Sequence, residues 1–174
     1  MSAERSFEAI TRADLKRLAR QAHSDREEFF ERHPEWAILY RKRFIGAALA
    51  GDAALHFING STGLEGFELW SFFAEHPDAA FPFQQVGKAD FGKSKFGRDT
   101  RNPEAYAGRR VELRGRSLDC APADDPIRVL QHYLRSGETP SAREMRAKAV
   151  VLLEPEDFLG YVIWPSLVIT EPDA

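Results

Sequence analysis

The segment Phe67-Glu68-Leu69-Trp70-Ser71-Phe72-Phe73 constrains the fold more than any other stretch of the chain. Seven residues rich in aromatics, with no Gly or Pro, read as a β-strand. A strand with one solvated face alternates apolar and polar residues. Here Glu68 is the only charge, and large apolar residues occupy both faces. Such a strand belongs inside a sheet covered on both sides, so the chain must also supply helices to pack on each face.

The helices are legible from spacing. Thr11 caps a helix over Thr11–His23, with Asp14 three residues on and Leu15, Leu18, Ala19 and Ala22 along one side. Ser24 predicts the cap of a second helix, Asp25–Arg32, and Pro34 opens a third that carries Trp36, Leu39 and Tyr40. Residues 1–43 thus read as a helical lead-in to an α/β domain over 44–174, the two forming one compact unit. Within that domain Phe44–Ala50 is a short apolar strand ending at Gly51-Asp52, followed by a helix over Ala53–Ile58 and a turn at Asn59-Gly60. His76–Ala107, punctuated by Pro77, Pro82, Gly87, Gly92, Gly97 and Pro103, reads as a long irregular excursion. Arg109–Leu113, Val150–Leu153 and Tyr161–Trp164 read as strands, and Pro126–Leu134 and Ser141–Ala147 as helices. The expected fold class is α/β (α+β): a single domain with a small mixed sheet flanked by helices.

Composition narrows the function classes. No apolar run approaches the length that spans a bilayer. The N-terminal MSAERSFEAI has no apolar core of a secretory signal, and the single Cys120 excludes an intrachain disulfide or a cysteine zinc site. A cytoplasmic protein is the expectation. The five histidines share no metal-ligand spacing; His56 reads as a helix-packing imidazole. The net charge of −3 is unevenly spread, because Gln84 to Arg116 holds nine Lys/Arg against four Asp/Glu. That stretch is either a solvated basic loop or a surface for an anionic partner, a nucleotide or a nucleic acid. Phe91 and Phe96, beside Lys88, Lys93, Lys95 and Arg98, are candidates to stack bases.

Two motifs bear on chemistry. Gly87-Lys88-Ala89-Asp90-Phe91-Gly92-Lys93-Ser94 matches the phosphate-cradling G-x-x-x-x-G-K-[ST] pattern, which needs a strand before it and a helix after it. Pro82 argues against the strand, and Gly97 with Pro103 against the helix. The second motif is a strand ending in Gly51, a short helix, a strand with Glu68 between Phe67 and Leu69, and a later strand with Glu112 between Val111 and Leu113.

In this second pattern the chain, from about Phe44 to Gly115, resembles the nucleotidyltransferase-fold superfamily, including toxin- and phage-defence-type members. The resemblance implies that Gly51 lets backbone approach a triphosphate and that Glu68 and Glu112 act as catalytic and metal-binding acids for Mg2+. Asp52 stands where the family has a small residue, and Gly66 where it has its first metal-binding acid, with Glu65 one position away. These departures imply weakened or lost transfer on a retained phosphate-binding scaffold. The expected function is that of a nucleotide- or phosphate-binding, nucleotidyltransferase-like protein. Gly51, Lys88, Lys93, Lys95 and Arg98 are its expected phosphate ligands. The alternatives are a non-catalytic module that binds a protein partner through the N-terminal helices, and a P-loop nucleotide binder.

Overall fold

In the computed structural model the chain is described over residues 4–82 and 85–165. The two ends of the expected lead-in and domain, 1–3 and 166–174, lie outside the described residues, as do 83 and 84 of the stretch before the phosphate-loop-like motif.

Helix α1 spans Arg12–Arg32 and begins with a reciprocal cap, in which Thr11 Oγ1 accepts the Asp14 N–H and Asp14 accepts the Thr11 N–H. The sequence predicts a break at Ser24, but the helix runs through it. Leu15, Leu18, Ala22, Arg26 and Phe30 form one buried stripe, and packing of that stripe overrides the capping preference of a lone serine. Helix α2, Pro34–Tyr40, follows with its proline in the first turn. Tyr40 packs with Phe30, Phe73 and Phe81 in an aromatic cluster.

Strand β1 (Phe44–Ala50) leads directly into α3 (Gly51–Asn59) and then β2 (Phe67–Ala74). Strand β3 (Gln85–Asp90) lies inside the stretch expected to be irregular throughout. Its residues show no apolar alternation, and it acquires its extended form by pairing with β4 (Arg110–Leu118). The strand expected over Arg109–Leu113 therefore runs five residues further. Helices α4 (Pro126–Ser136) and α5 (Pro140–Arg146) precede β5 (Val150–Glu154) and β6 (Val162–Trp164).

The six strands form one sheet in the order β3-β4-β2-β1-β5-β6. The β2–β4 pair is parallel and the other four pairs are antiparallel. The fold is the mixed α/β (α+β) arrangement expected from the sequence, with helices on both faces. Alternate residues of β2 enter two separate cores. Phe67 and Leu69 join Leu15, Leu18, Leu49 and Val151 on the α1 side, whereas Trp70 and Phe72 join Leu130, Leu134 and Met145 on the α4–α5 side. This two-sided burial is why β2 lacks a polar face. Arg26, buried on α1, is neutralised by two bonds to Glu154 at 2.9 and 3.1 Å and also donates to Ser71. Among the described residues no helix is long and apolar enough to cross a membrane.

Candidate functional site

Strand pairing brings four chain segments to one margin of the sheet. Ala50 at the end of β1 lies opposite Glu68 near the start of β2 and Val150 at the start of β5. Glu68 in turn lies opposite Glu112 near the start of β4. Neighbouring strands lie ~4.8 Å apart, and residues in register project to the same face, so Glu68 and Glu112 form an adjacent pair. The helix α3 starts here. Its first residue, Gly51, has φ 73°, a left-handed value that disfavours any side chain, and no side chain caps the helix.

These ends enclose a cleft of about 210 Å³. Gly51, Glu68 and Glu112 all line it. Its other charged walls are Asp52, Glu65, Asp99, Arg101, Arg110 and Lys148. Each carboxylate has a donor. Asp52 is bridged by Lys148 at 2.9 Å and Arg5 at 3.2 Å. Glu65 is bridged by Arg101 at 2.6 Å. Glu112 lies 3.4 Å from Arg114 and 3.8 Å from Arg110, and Asp99 lies 3.7 Å from Arg110. Glu68 accepts the indole N–H of Trp70 at 3.0 Å. Burial pushes the Asp52 carboxyl up, but its bonds to Lys148 and Arg5 outweigh this and hold it below the usual carboxylate range.

Position 66 is closed to a side chain for a steric reason. A Cβ there would lie 2.7 Å from the carbonyl oxygen of Arg110, so the parallel pairing of β2 with β4 leaves no room for an acid. Glu65, the neighbouring acid, does line the cleft.

The basic residues expected to bind phosphate lie elsewhere. Lys88 stands on β3 in register with Glu112 but does not line the cleft. Lys93 is exposed on the loop after β3. Lys95 pairs with Asp14 at the start of α1 at 3.0 Å, and Arg98 donates to the carbonyls of Tyr106 and Pro103 within its own loop. The cations that do line the cleft are Arg101, Arg110 and Lys148. Lys148 carries no local signal, and its place follows only from β5 pairing antiparallel with β1. Phe91 and Phe96 are not base-stacking surfaces. They are 0% and 1% exposed and pack against Phe67, because the loop that carries them folds back over the first core. Gly87–Asp90 is extended strand and no helix follows Lys93, so the phosphate-loop geometry is not formed.

His56 is buried, with Nε2 2.9 Å from the Glu8 carbonyl and Nδ1 accepting the Gly63 N–H. Both ring nitrogens serve the backbone, so the ring is a structural tie between the N-terminal segment and the loop before β2. Burial first, then Asp124 and Asp119, pushes the Cys120 thiol up to about 11, which leaves it protonated and poorly nucleophilic at neutral pH.

Among the described residues no three His, Cys, Asp or Glu side chains gather as a metal-binding group. Magnesium does not require one, since it is commonly held by one or two carboxylates together with substrate phosphates. Glu68 and Glu112 are the pair suited to that mode. No protein-family model matches the chain, and no curated protein or solved structure matches it either.

Proposed function

We propose that the cleft binds a nucleoside triphosphate as its magnesium complex, making this a nucleotidyltransferase-like nucleotide-binding protein. The observation that carries the reading is the in-register pair Glu68 and Glu112, flanked in one cleft by Arg101, Arg110 and Lys148. The walls carry both signs of charge, so a bare anion would meet repelling carboxylates and a bare cation would meet guanidinium groups. A metal–polyphosphate complex presents a positive centre to the carboxylates and phosphate oxygens to the cations. The ion pairs that Asp52 and Glu65 make in the cleft are partly solvated, worth roughly 0–1 kcal/mol each, and exchange partners at little cost.

Bound in this way, magnesium would neutralise phosphate charge and orient the α-phosphate for attack by a hydroxyl. Glu68 and Glu112 would hold it, Arg101, Arg110 and Lys148 would bind phosphate oxygens, and Gly51 would let the backbone approach them. Two-metal transfer needs more carboxylate than this pair supplies. With Gly66 closed to an acid, the chain's assigned role is binding, with transfer weak or lost.

Calorimetric titration of the full chain with ATP, GTP, CTP and UTP, each with and without magnesium, tests this. At least one should bind, and bind more tightly with magnesium. Failure of all four in both conditions would overturn the reading.

A further inference from the structure

In the sequence Asp52 is an anomaly, because it sets a negative charge at the place where a ligand's phosphates would lie. Read alone, it should repel them, and removing it should tighten binding. The tertiary structure gives it different neighbours. One carboxylate oxygen is 2.9 Å from Lys148 Nζ and the other is 3.2 Å from Arg5 Nη1. Arg5 comes from the N-terminal segment and Lys148 from the link between α5 and β5, so one carboxylate gathers cations from two segments far apart in the chain. With both in place these three side chains sum to +1, and the next two charges, Glu65 at 3.9 Å from Arg5 Nη2 and its own partner Arg101, cancel each other.

Lys148 has a long flexible stem and, at 46% exposure, little packing to hold it. Among its described polar contacts, Asp52 is the one ion pair. Arg5 is anchored further, by the Gly63 carbonyl at 3.2 Å. Asp52 is therefore the group that places the Lys148 ammonium on the cleft wall, at the start of α3.

We propose that Asp52 is a positioning residue: it does not touch the ligand but orders Lys148, with Arg5 as its counter-clamp, as a phosphate-binding cation of the cleft. This rests on the nucleotide-binding reading above. It reverses the sign expected for the substitution, since removing a negative charge beside a phosphate site should weaken phosphate binding.

The experiment titrates the full chain with whichever magnesium–nucleoside triphosphate binds the wild type most tightly. It compares wild type, Asp52→Asn, Asp52→Glu, Lys148→Ala and the Asp52→Asn/Lys148→Ala double variant. Asp52→Asn should bind about tenfold more weakly, in the range found when a group that orients a ligand-binding residue is lost. Asp52→Glu, which can still reach the ammonium, should recover most of that loss, a rescue that a general structural role for the position would not produce. On the Lys148→Ala background Asp52→Asn should cost little more, because the two act as one unit. Asp52→Asn binding as tightly as wild type or more so, or additive losses in the double variant, would overturn the proposal while leaving nucleotide binding standing. Should Asp52→Asn fail to fold, Lys148→Ala decides: wild-type affinity in that variant overturns it. A wild type that binds no triphosphate removes the nucleotide reading and this proposal together, and that arm is read before any variant.

Discussion

The carbonyl oxygen of Arg110 lies 2.7 Å from the point where a side chain on Gly66 would begin. That one approach ties the start of β2 to the start of β4 and keeps position 66 from contributing an acid to the cleft. Gly66→Asp should therefore not add a usable acid to the cleft. It should overpack the strand pair and cost about 1–3 kcal/mol of stability, read as a lower midpoint in urea. A Gly66→Asp variant as stable as wild type would show that the strands separate more easily than this contact implies.

The carboxylate pair should control the metal dependence of binding, not binding as such. Glu112→Gln and Glu68→Gln are each expected to reduce the advantage of added magnesium by about tenfold. Affinity for the metal-free triphosphate should stay level or rise, because a repelling charge has gone. Titrations with and without magnesium separate the two effects, and loss of metal-free binding in both variants would count against the assigned roles.

Within the loop that joins β3 to β4, the exposed lysine Lys93 should be dispensable for the nucleotide and Arg101 should not. Lys93 is exposed away from the cleft, so Lys93→Glu should leave affinity within about twofold of wild type, apart from a small screened effect. Arg101 lines the cleft, and Arg101→Ala should weaken binding about tenfold. The reverse order of effects would move the phosphate site from the cleft to the exposed Lys93 end of this loop.

Asp25 on α1 should set part of the acid response of folding. Burial, and secondarily the charge of Glu28, raises its carboxyl to about 6, and one of its oxygens has no hydrogen-bond partner among the described residues. The folded state thus keeps a proton that the unfolded chain releases near pH 4. Stability should fall as pH rises from about 4 to about 6, with the full penalty present above that window. Asp25→Asn should raise stability at pH 7 by about 1–3 kcal/mol and flatten the slope across the window. Denaturant melts of both proteins at pH 4, 5, 6 and 7 check the sign. A variant less stable at pH 7 would mean that the carboxylate has a partner the pairing does not reveal.

Much of the architecture was written locally. The large apolar residues on both faces of Phe67–Phe73 required cover on both sides, and the two cores on either side of β2 supply it. Thr11 and Asp14 marked the start of α1, and Gly51 marked the junction of β1 and α3. The adjacency of Glu68 and Glu112 was an inference from resemblance, and the parallel register of β2 with β4 realises it. Side-chain period and capping chemistry act over a few residues, so a sequence carries them openly. What it could not carry was the identity of the partners. Ser24 looks like a cap until the stripe from Leu15 to Phe30 is seen buried as one face. Gln85–Asp90 becomes a strand only because β4 offers it an edge. The basic stretch from Gln84 to Arg116 looked like a surface for an anionic partner; two of its arginines, Arg101 and Arg110, line the cleft, whereas Lys95 is held by Asp14 and Arg98 by its own loop. Lys148 reaches the cleft because β5 runs antiparallel beside β1. An ion pair depends on where two distant segments meet, and the order and direction of the strands set that meeting.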